Sequence, residues 1–307
     1  MSEQSRIKVL IGPSTFAAQD KRPLEYLLRE GIEIVENPYK RRLTKKEVIS
    51  LLSNNVEGLI AGLEPLDRDV LKCSKLRVIS RSGVGMSNVD LAAAEEFEIK
   101  VYNTPDAPTV AVAEITIAAM LDLCRSISDM NSEMHNGKWD KNIGVQLSGK
   151  CVLIVGFGRI GQKVASFLKP FNVKLLVSDP NINKVEEGIN LLGLKDALPK
   201  ADIITIHSSG DSEIIGENEF ALMKPGVFLL NSARGAMVNE TSLMKAIDDG
   251  IVRKAWMDVF IEEPYFGKLK DYSQVLLTPH TGSYTSECRS VMEMQAALNL
   301  IKGLKDS

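Results

Sequence analysis

The sequence predicts an α/β protein built from two doubly wound parallel-sheet domains. Three observations carry this. Short β-rich runs alternate with helical patterns from end to end. A turn of the type G-x-G-x-x-G follows one such run near mid-chain. The 307 residues suffice for two separate hydrophobic cores.

In chain order, strands are expected at Ile7–Ile11, Ile32–Val35, Gly58–Ala61, Arg77–Ser80 and Lys100–Tyr102. Helical patterns at Pro23–Glu30, Lys45–Asn54 and Val89–Glu96 lie between them. Pro108–Asn131 has few breakers and reads as one long helix bridging to a second sheet. Strands recur at Cys151–Val155, Lys174–Ser178, Asp202–His207, Val227–Asn231, Lys254–Met257 and Val275–Leu277. A last helix, Glu287–Leu304, is too short to stand alone and should pack on a neighbour. The economical arrangement joins residues 1–101 and 282–307 in a first domain, with 102–281 inserted as a second.

With 44% apolar residues, 25% charged and a net charge of −3, the composition is that of a globular protein with no bias toward nucleic acid or anionic membrane. No apolar run reaches membrane-spanning length. Residues Met1 to Arg6 lead directly into a strand pattern, so no signal peptide is expected. Cys73, Cys124, Cys151 and Cys288 are scattered and form no C-x-x-C pair. They read as reduced thiols of a cytoplasmic protein, with neither disulfides nor a metal site.

The glycine turn carries the first functional expectation. Val152-Leu153-Ile154-Val155 runs into Gly156-Phe157-Gly158-Arg159-Ile160-Gly161, a helical pattern follows, and Asp179 ends the next apolar run. The first glycine permits the tight turn, the second lets backbone approach a pyrophosphate, and the third lets helix and strand pack closely. The pyrophosphate then sits at the positive end of the helix. A carboxylate at Asp179 accepts hydrogen bonds from ribose hydroxyls and repels a 2′-phosphate, which favours NAD over NADP.

In parallel sheets, reactive groups gather just past the strand ends. His280, in Thr278-Pro279-His280-Thr281-Gly282, is placed to pass a proton. Arg234, in Asn231-Ser232-Ala233-Arg234-Gly235, is placed to clamp a carboxylate. Glu263 could hydrogen-bond the imidazole and favour its charged form. His207 also ends a strand and His135 ends a polar helix, so spacing alone does not choose among the three histidines.

An ordered set of motifs resembles the D-2-hydroxyacid dehydrogenase family, which includes phosphoglycerate-specific members. They are Ser80 to Asp90, Asn103-Thr104-Pro105, Ala113 to Ile117, Gly156 to Gly161 and Leu222 to Gly226. Asn231 to Gly235, Asp258-Val259-Phe260 with Glu263-Pro264, and Pro279-His280 complete the set, which covers nearly the whole chain. The resemblance implies a flavodoxin-like substrate domain with an inserted Rossmann NAD-binding domain, commonly dimeric. It implies that His280 exchanges a proton with the substrate oxygen while NAD(H) carries the hydride. Glu263 would orient and charge His280, and Arg234 would hold a small D-2-hydroxy or 2-keto acid. The turn Ser82-Gly83-Val84-Gly85 would offer N–H groups to the same carboxylate. Gly156, Gly158, Arg159, Ile160 and Gly161 would border the pyrophosphate. Asp179, His207, Ser208, Ser232, Ala233 and Gly282 would line the cofactor, and Asp258 would meet the nicotinamide amide.

The chain departs from the family pattern in places. Asp106 stands where a glycine is frequent, and the turn after His207 lacks the usual proline. Gly62-Leu63-Glu64-Pro65-Leu66 carries a carboxylate where phosphoglycerate-specific relatives place an arginine, so Glu64, if it faces the substrate, disfavours a phosphate. Little chain follows Leu304, and no regulatory domain is expected there. A second reading is an NAD-sensing, corepressor-like binding protein on the same scaffold.

Overall fold

The computed structural model describes residues 6–306. The stretch Met1–Ser5, part of the segment read as carrying no signal peptide, lies outside them. The chain divides into two compact units. One takes the residues up to Pro108 and those from Tyr284 onward, and the other is Thr109–Ser283. The changes of unit thus fall at 108/109 and 283/284, against 101/102 and 281/282 drawn from sequence.

The first unit contains strands β1 (Lys8–Ile11), β2 (Glu33–Glu36), β3 (Val56–Ala61), β4 (Val78–Arg81) and β5 (Lys100–Tyr102). They form one parallel sheet in the order β2-β1-β3-β4-β5. That is the flavodoxin-type order, whose switch point lies between β1 and β3. Helices α1 (Arg22–Arg29), α2 (Lys45–Leu52), α3 (Arg68–Lys72) and α4 (Leu91–Glu96) provide the crossovers. Their starts follow from capping residues. Thr44 and Glu47 make a reciprocal capping box at α2, while Asp67 and Asp90 accept from Val70 N–H and Ala93 N–H at 3.2 and 2.9 Å.

The second unit opens with α5 (Pro108–Arg125), followed by α6 (Ile127–His135). The single helix expected over Pro108–Asn131 is therefore broken. Ser126 adopts φ +54°, and Asp122 accepts from Ser128 N–H at 2.7 Å, which starts a new helix in a new direction. The strands are β6 (Cys151–Val155), β7 (Lys174–Ser178), β8 (Ile189–Leu191), β9 (Ile203–Ile206), β10 (Val227–Asn231), β11 (Val252–Met257) and β12 (Val275–Leu277). Between them run α7 (Arg159–Leu168), α8 (Leu194–Ala197), α9 (Glu217–Phe220) and α10 (Glu240–Asp248). All pairings are parallel, in the order β12-β11-β10-β9-β6-β7-β8. The strand order reverses between β6 and β9, the place where doubly wound sheets bind ligands.

Helix α11 (Ser286–Lys305) returns to the first unit. Thr285 caps it, accepting from Cys288 N–H at 3.1 Å. Its Ala296, Ala297, Leu300, Ile301 and Leu304 share a core with Val9, Ile60 and Val78. Among the described residues, no helix is long and apolar enough to cross a membrane.

Candidate active site

The sheet order of the second unit turns a list of motifs into a row. Reading across the carboxyl edge from β12 to β7, the turns carry His280, then Asp258 and Glu263, Arg234, His207, Gly156 and Asp179. Residues as distant in sequence as Gly156 and His207 become neighbours because their strands, β6 and β9, pair.

At β6 the glycines act through what their missing side chains permit. A Cβ on Gly156, which has φ +90°, would lie 2.5 Å from Ser208 N. Only glycine lets the His207-Ser208 turn lie flush against it. A Cβ on Gly161 would lie 2.2 Å from Gly156 O, so α7 could not start so close to β6. Gly158 faces open space, with nothing within 4 Å of an added Cβ. Asp179 accepts from Phe157 N–H and Asn181 N–H, each at 2.8 Å, which holds its carboxylate at the rim of the glycine turn. Arg159 and Ile160 form the first turn of α7. Ser232 Oγ, past β10, is buried with no protein partner. An open helix N-terminus, a neighbouring carboxylate and an unspent hydroxyl are the features a dinucleotide needs, and the residues present fit NAD.

The three histidines now separate. His280 Nδ1 lies 2.8 and 3.1 Å from the two oxygens of Glu263, so Nδ1–H donates to the carboxylate and Nε2 is left for other work. Glu263 is itself fixed by Phe260 N–H, which donates to Oε1 at 3.1 Å. The ring of His207 pairs with Thr205 Oγ1 at 2.9 Å, and desolvation pushes its pKa down to about 3, so it is neutral. His135 is exposed at the end of α6. Geometry thus gives His280 alone a carboxylate partner.

Asp258 is 1% exposed and holds the turn that carries His280. Its Oδ1 accepts from Thr278 Oγ1 at 2.5 Å and Thr281 N–H at 2.8 Å, and its Oδ2 accepts from Gly282 N–H at 2.9 Å. Trp256 Nε1–H donates to Thr278 Oγ1 at 2.9 Å. Sequence reading gave Asp258 only a cofactor role and missed this one. A fully buried aspartate one residue past a strand was the available signal. His280 itself sits at φ +53°, a conformation this network maintains.

Arg234 hangs from a turn shaped by Asn231, which is wholly buried. Asn231 Oδ1 accepts from Ala233 N–H at 3.1 Å and its Nδ2 donates to Arg234 O at 2.9 Å. The guanidinium donates to Ala233 O at 2.6 Å and lies 4.0 Å from Asp211. Gly235 joins this turn to the Glu263 loop: a Cβ there would stand 2.1 Å from the carbonyl carbon of Phe260.

In the first unit, the turn after β4 divides its N–H groups. Ser82 N–H donates to Ala61 O at 2.9 Å, and Gly83 N–H donates to Thr104 Oγ1 at 2.9 Å. Among the described residues, the N–H groups of Val84 and Gly85 meet no hydrogen-bond acceptor, and Ser82 Oγ is buried without a partner. Glu64 does not face solvent. It is 2% exposed, accepts from Gly62 N–H at 2.9 Å and abuts Gly12, and burial raises its pKa.

Comparison with known proteins identifies relatives of this chain. The model of the D-isomer specific 2-hydroxyacid dehydrogenase NAD-binding domain matches residues 117–282. The D-3-phosphoglycerate dehydrogenase of Sus scrofa is 35% identical over 309 aligned positions, covering 97% of this chain and 56% of its own length. That of Methanocaldococcus jannaschii is 35% identical over 284, covering 89% of this chain and 54% of its own. This chain spans about half the length of the curated relatives it matches. A solved structure from Thermus thermophilus superposes with a TM-score of 0.89 at 29% identity, covering 98% of this chain and 97% of that one.

Proposed function

The chain belongs to the D-isomer-specific 2-hydroxyacid dehydrogenase family and contains its NAD-binding domain, and from that premise we propose that it interconverts a small D-2-hydroxy acid and its 2-keto acid. The observation that carries the reading is the 2.8 Å contact between His280 Nδ1 and Glu263 past the ends of adjacent strands β12 and β11. NAD, bound at the glycine turn of the same sheet, supplies or accepts the hydride. The protein's own residues do the rest. His280 Nε2 gives its proton to the keto oxygen or takes the hydroxyl proton in the reverse direction. Glu263 accepts from Nδ1–H, which fixes the tautomer and stabilises the imidazolium. Arg234 pairs with the substrate carboxylate by two parallel N–H donors. Asp258 keeps the His280 turn in place and presents its carboxylate beside Gly282, where the resemblance puts the nicotinamide amide.

In the first unit, we assign anion binding to the free N–H groups of Val84 and Gly85. A homodimer is supported by the apolar exposure of Ile127, Met134, Trp139 and Ile143, the last two 76% and 92% exposed. Four unbridged cysteines support a reducing, cytoplasmic setting.

The test is spectrophotometric. NADH oxidation is followed with a panel of 2-keto acids, 3-phosphohydroxypyruvate included. At least one acid should be turned over, and His280→Ala should lower kcat by about 10²–10⁴-fold. A panel with no turnover above background, or an undiminished His280→Ala, overturns the reading.

A further inference from the structure

The loop bearing Glu263 is braced from behind by residues that no motif marks. The Tyr265 ring stacks on Phe260 with centroids 4.1 Å apart and planes at 23°. Its hydroxyl donates to Glu240 Oε1 at 2.5 Å, on the first residue of α10, and accepts from Leu269 N–H at 3.0 Å. A Cβ on Gly267 would lie 2.4 Å from that hydroxyl, so only glycine lets the chain close around the ring. The backbone N–H of Phe260, the residue under the ring, is the one that donates to Glu263. The other side of the Phe260–Ile261 backbone presses on Gly235, the residue after Arg234.

We propose that Tyr265 and Glu240 form a positioning pair for the proton-transfer site: by pinning Phe260, they fix Glu263 against His280 and hold the loop at the Arg234 turn. The proposal rests on the dehydrogenase reading above. Tyr265 touches neither substrate nor proton. It is stacked, partly buried and hydrogen-bonded through its hydroxyl as both donor and acceptor, so it ties the loop to the start of α10. Burial, aided by Glu240, pushes its pKa up to about 12, so the hydroxyl stays a donor across the working range of the enzyme.

Tyr265→Phe keeps the ring and removes both hydroxyl contacts. It should lower kcat about ten-fold or more, since displacing a catalytic group by an ångström can cost up to about 10²-fold, and leave the KM for NADH unchanged. Glu240→Ala should lower kcat by a similar factor, and the double variant no further than either single one. Glu240→Gln retains an acceptor and should keep the wild-type kcat. A second readout needs no turnover. The downfield imidazole N–H proton resonance of His280, assigned by its loss in Glu263→Gln, should broaden or shift in Tyr265→Phe and Glu240→Ala and persist in Glu240→Gln. If Tyr265→Phe lowers only Tm, moving neither kcat nor the resonance, or if the two losses simply add, the brace is wrong. If the wild type turns over no acid, the functional reading fails, and the resonance series still decides the brace.

Discussion

In the five-stranded unit side chains fill the turns past β3 and β4, whereas in the seven-stranded unit buried polar groups support the turns that carry Arg234, Glu263 and His280. Glu64 folds onto Gly62 N–H and Gly12, and Arg81 lies under Gly83, its guanidinium donating to Ser82 O. Past β10, β11 and β12 the buried groups are instead used as supports. Asn231 holds the Arg234 turn, Asp258 holds the His280 turn, and Phe260 N–H holds Glu263. Both sheets are parallel and doubly wound, so the architecture alone does not separate them. What separates them is which polar groups are still unspent once the turns are built.

The largest effects should follow that line. Glu263→Gln and His280→Asn should each lower kcat/KM by about 10²–10⁴-fold. Glu64→Gln, which alters a carboxylate more deeply buried than that of Glu263, should change kcat/KM for an unphosphorylated acid by no more than a few-fold. Equal losses at Glu64 and Glu263 would erase the distinction between the units. A rise for 3-phosphohydroxypyruvate alone in Glu64→Gln would sharpen it, by showing that the Glu64 charge bears on phosphate selection.

A smaller effect concerns where each unit draws its stability. Leu300 of α11 is fully buried against Val9, Ile60 and Val78. Leu300→Ala should cost about 2–5 kcal/mol. Hydrogen exchange should show the loss in amides of β3 and β4, with β6 and β9 keeping their protection. Uniform loss across both sheets would mean that the units do not open separately.

Much of this architecture is legible in the sequence. Lys100–Tyr102, Cys151–Val155, Lys174–Ser178, Val227–Asn231 and Val275–Leu277 have the limits expected from sequence, the three longer ones because buried parallel strands are apolar runs with sharp borders. Strand β8 was missed: Ile189-Asn190-Leu191 is three residues long with a polar residue at its centre, so it shows no apolar run. The break at Ser126 was missed because serine carries no breaker signal, and the positive φ comes from how Asp122 starts the next helix. Among site residues, the glycine turn announced itself locally. Spacing alone did not choose among the histidines, the resemblance pointed to His280 with Glu263, and the contacts of Tyr265 and Glu240 had no signal in the sequence. Supports of this kind leave no local pattern, since their partners are set by strand order.

The comparison also has an acid–base side, with opposite signs in the two units. Burial raises the pKa of Glu64, so the folded first unit holds its proton more tightly than the unfolded chain does. That contribution is present below the ordinary carboxyl value, about 4.3, and is lost as pH rises through the folded value. Burial lowers His207 from 6.5 to about 3, so the folded second unit resists protonation. Its contribution is present above about 6.5 and is lost as pH falls toward 3. Neither slope can exceed about 1.4 kcal/mol per pH unit for one proton. Thermal melts from pH 4 to 8 of the wild type, Glu64→Gln and His207→Gln check both. Glu64→Gln should gain on the wild type as pH rises, because it removes a buried group that is driven to ionise. His207→Gln should close its gap to the wild type as pH falls, because the wild type alone pays for keeping an imidazole neutral. Shifts of the same sign in both variants would mean that at least one of the two groups is better solvated than its surroundings suggest.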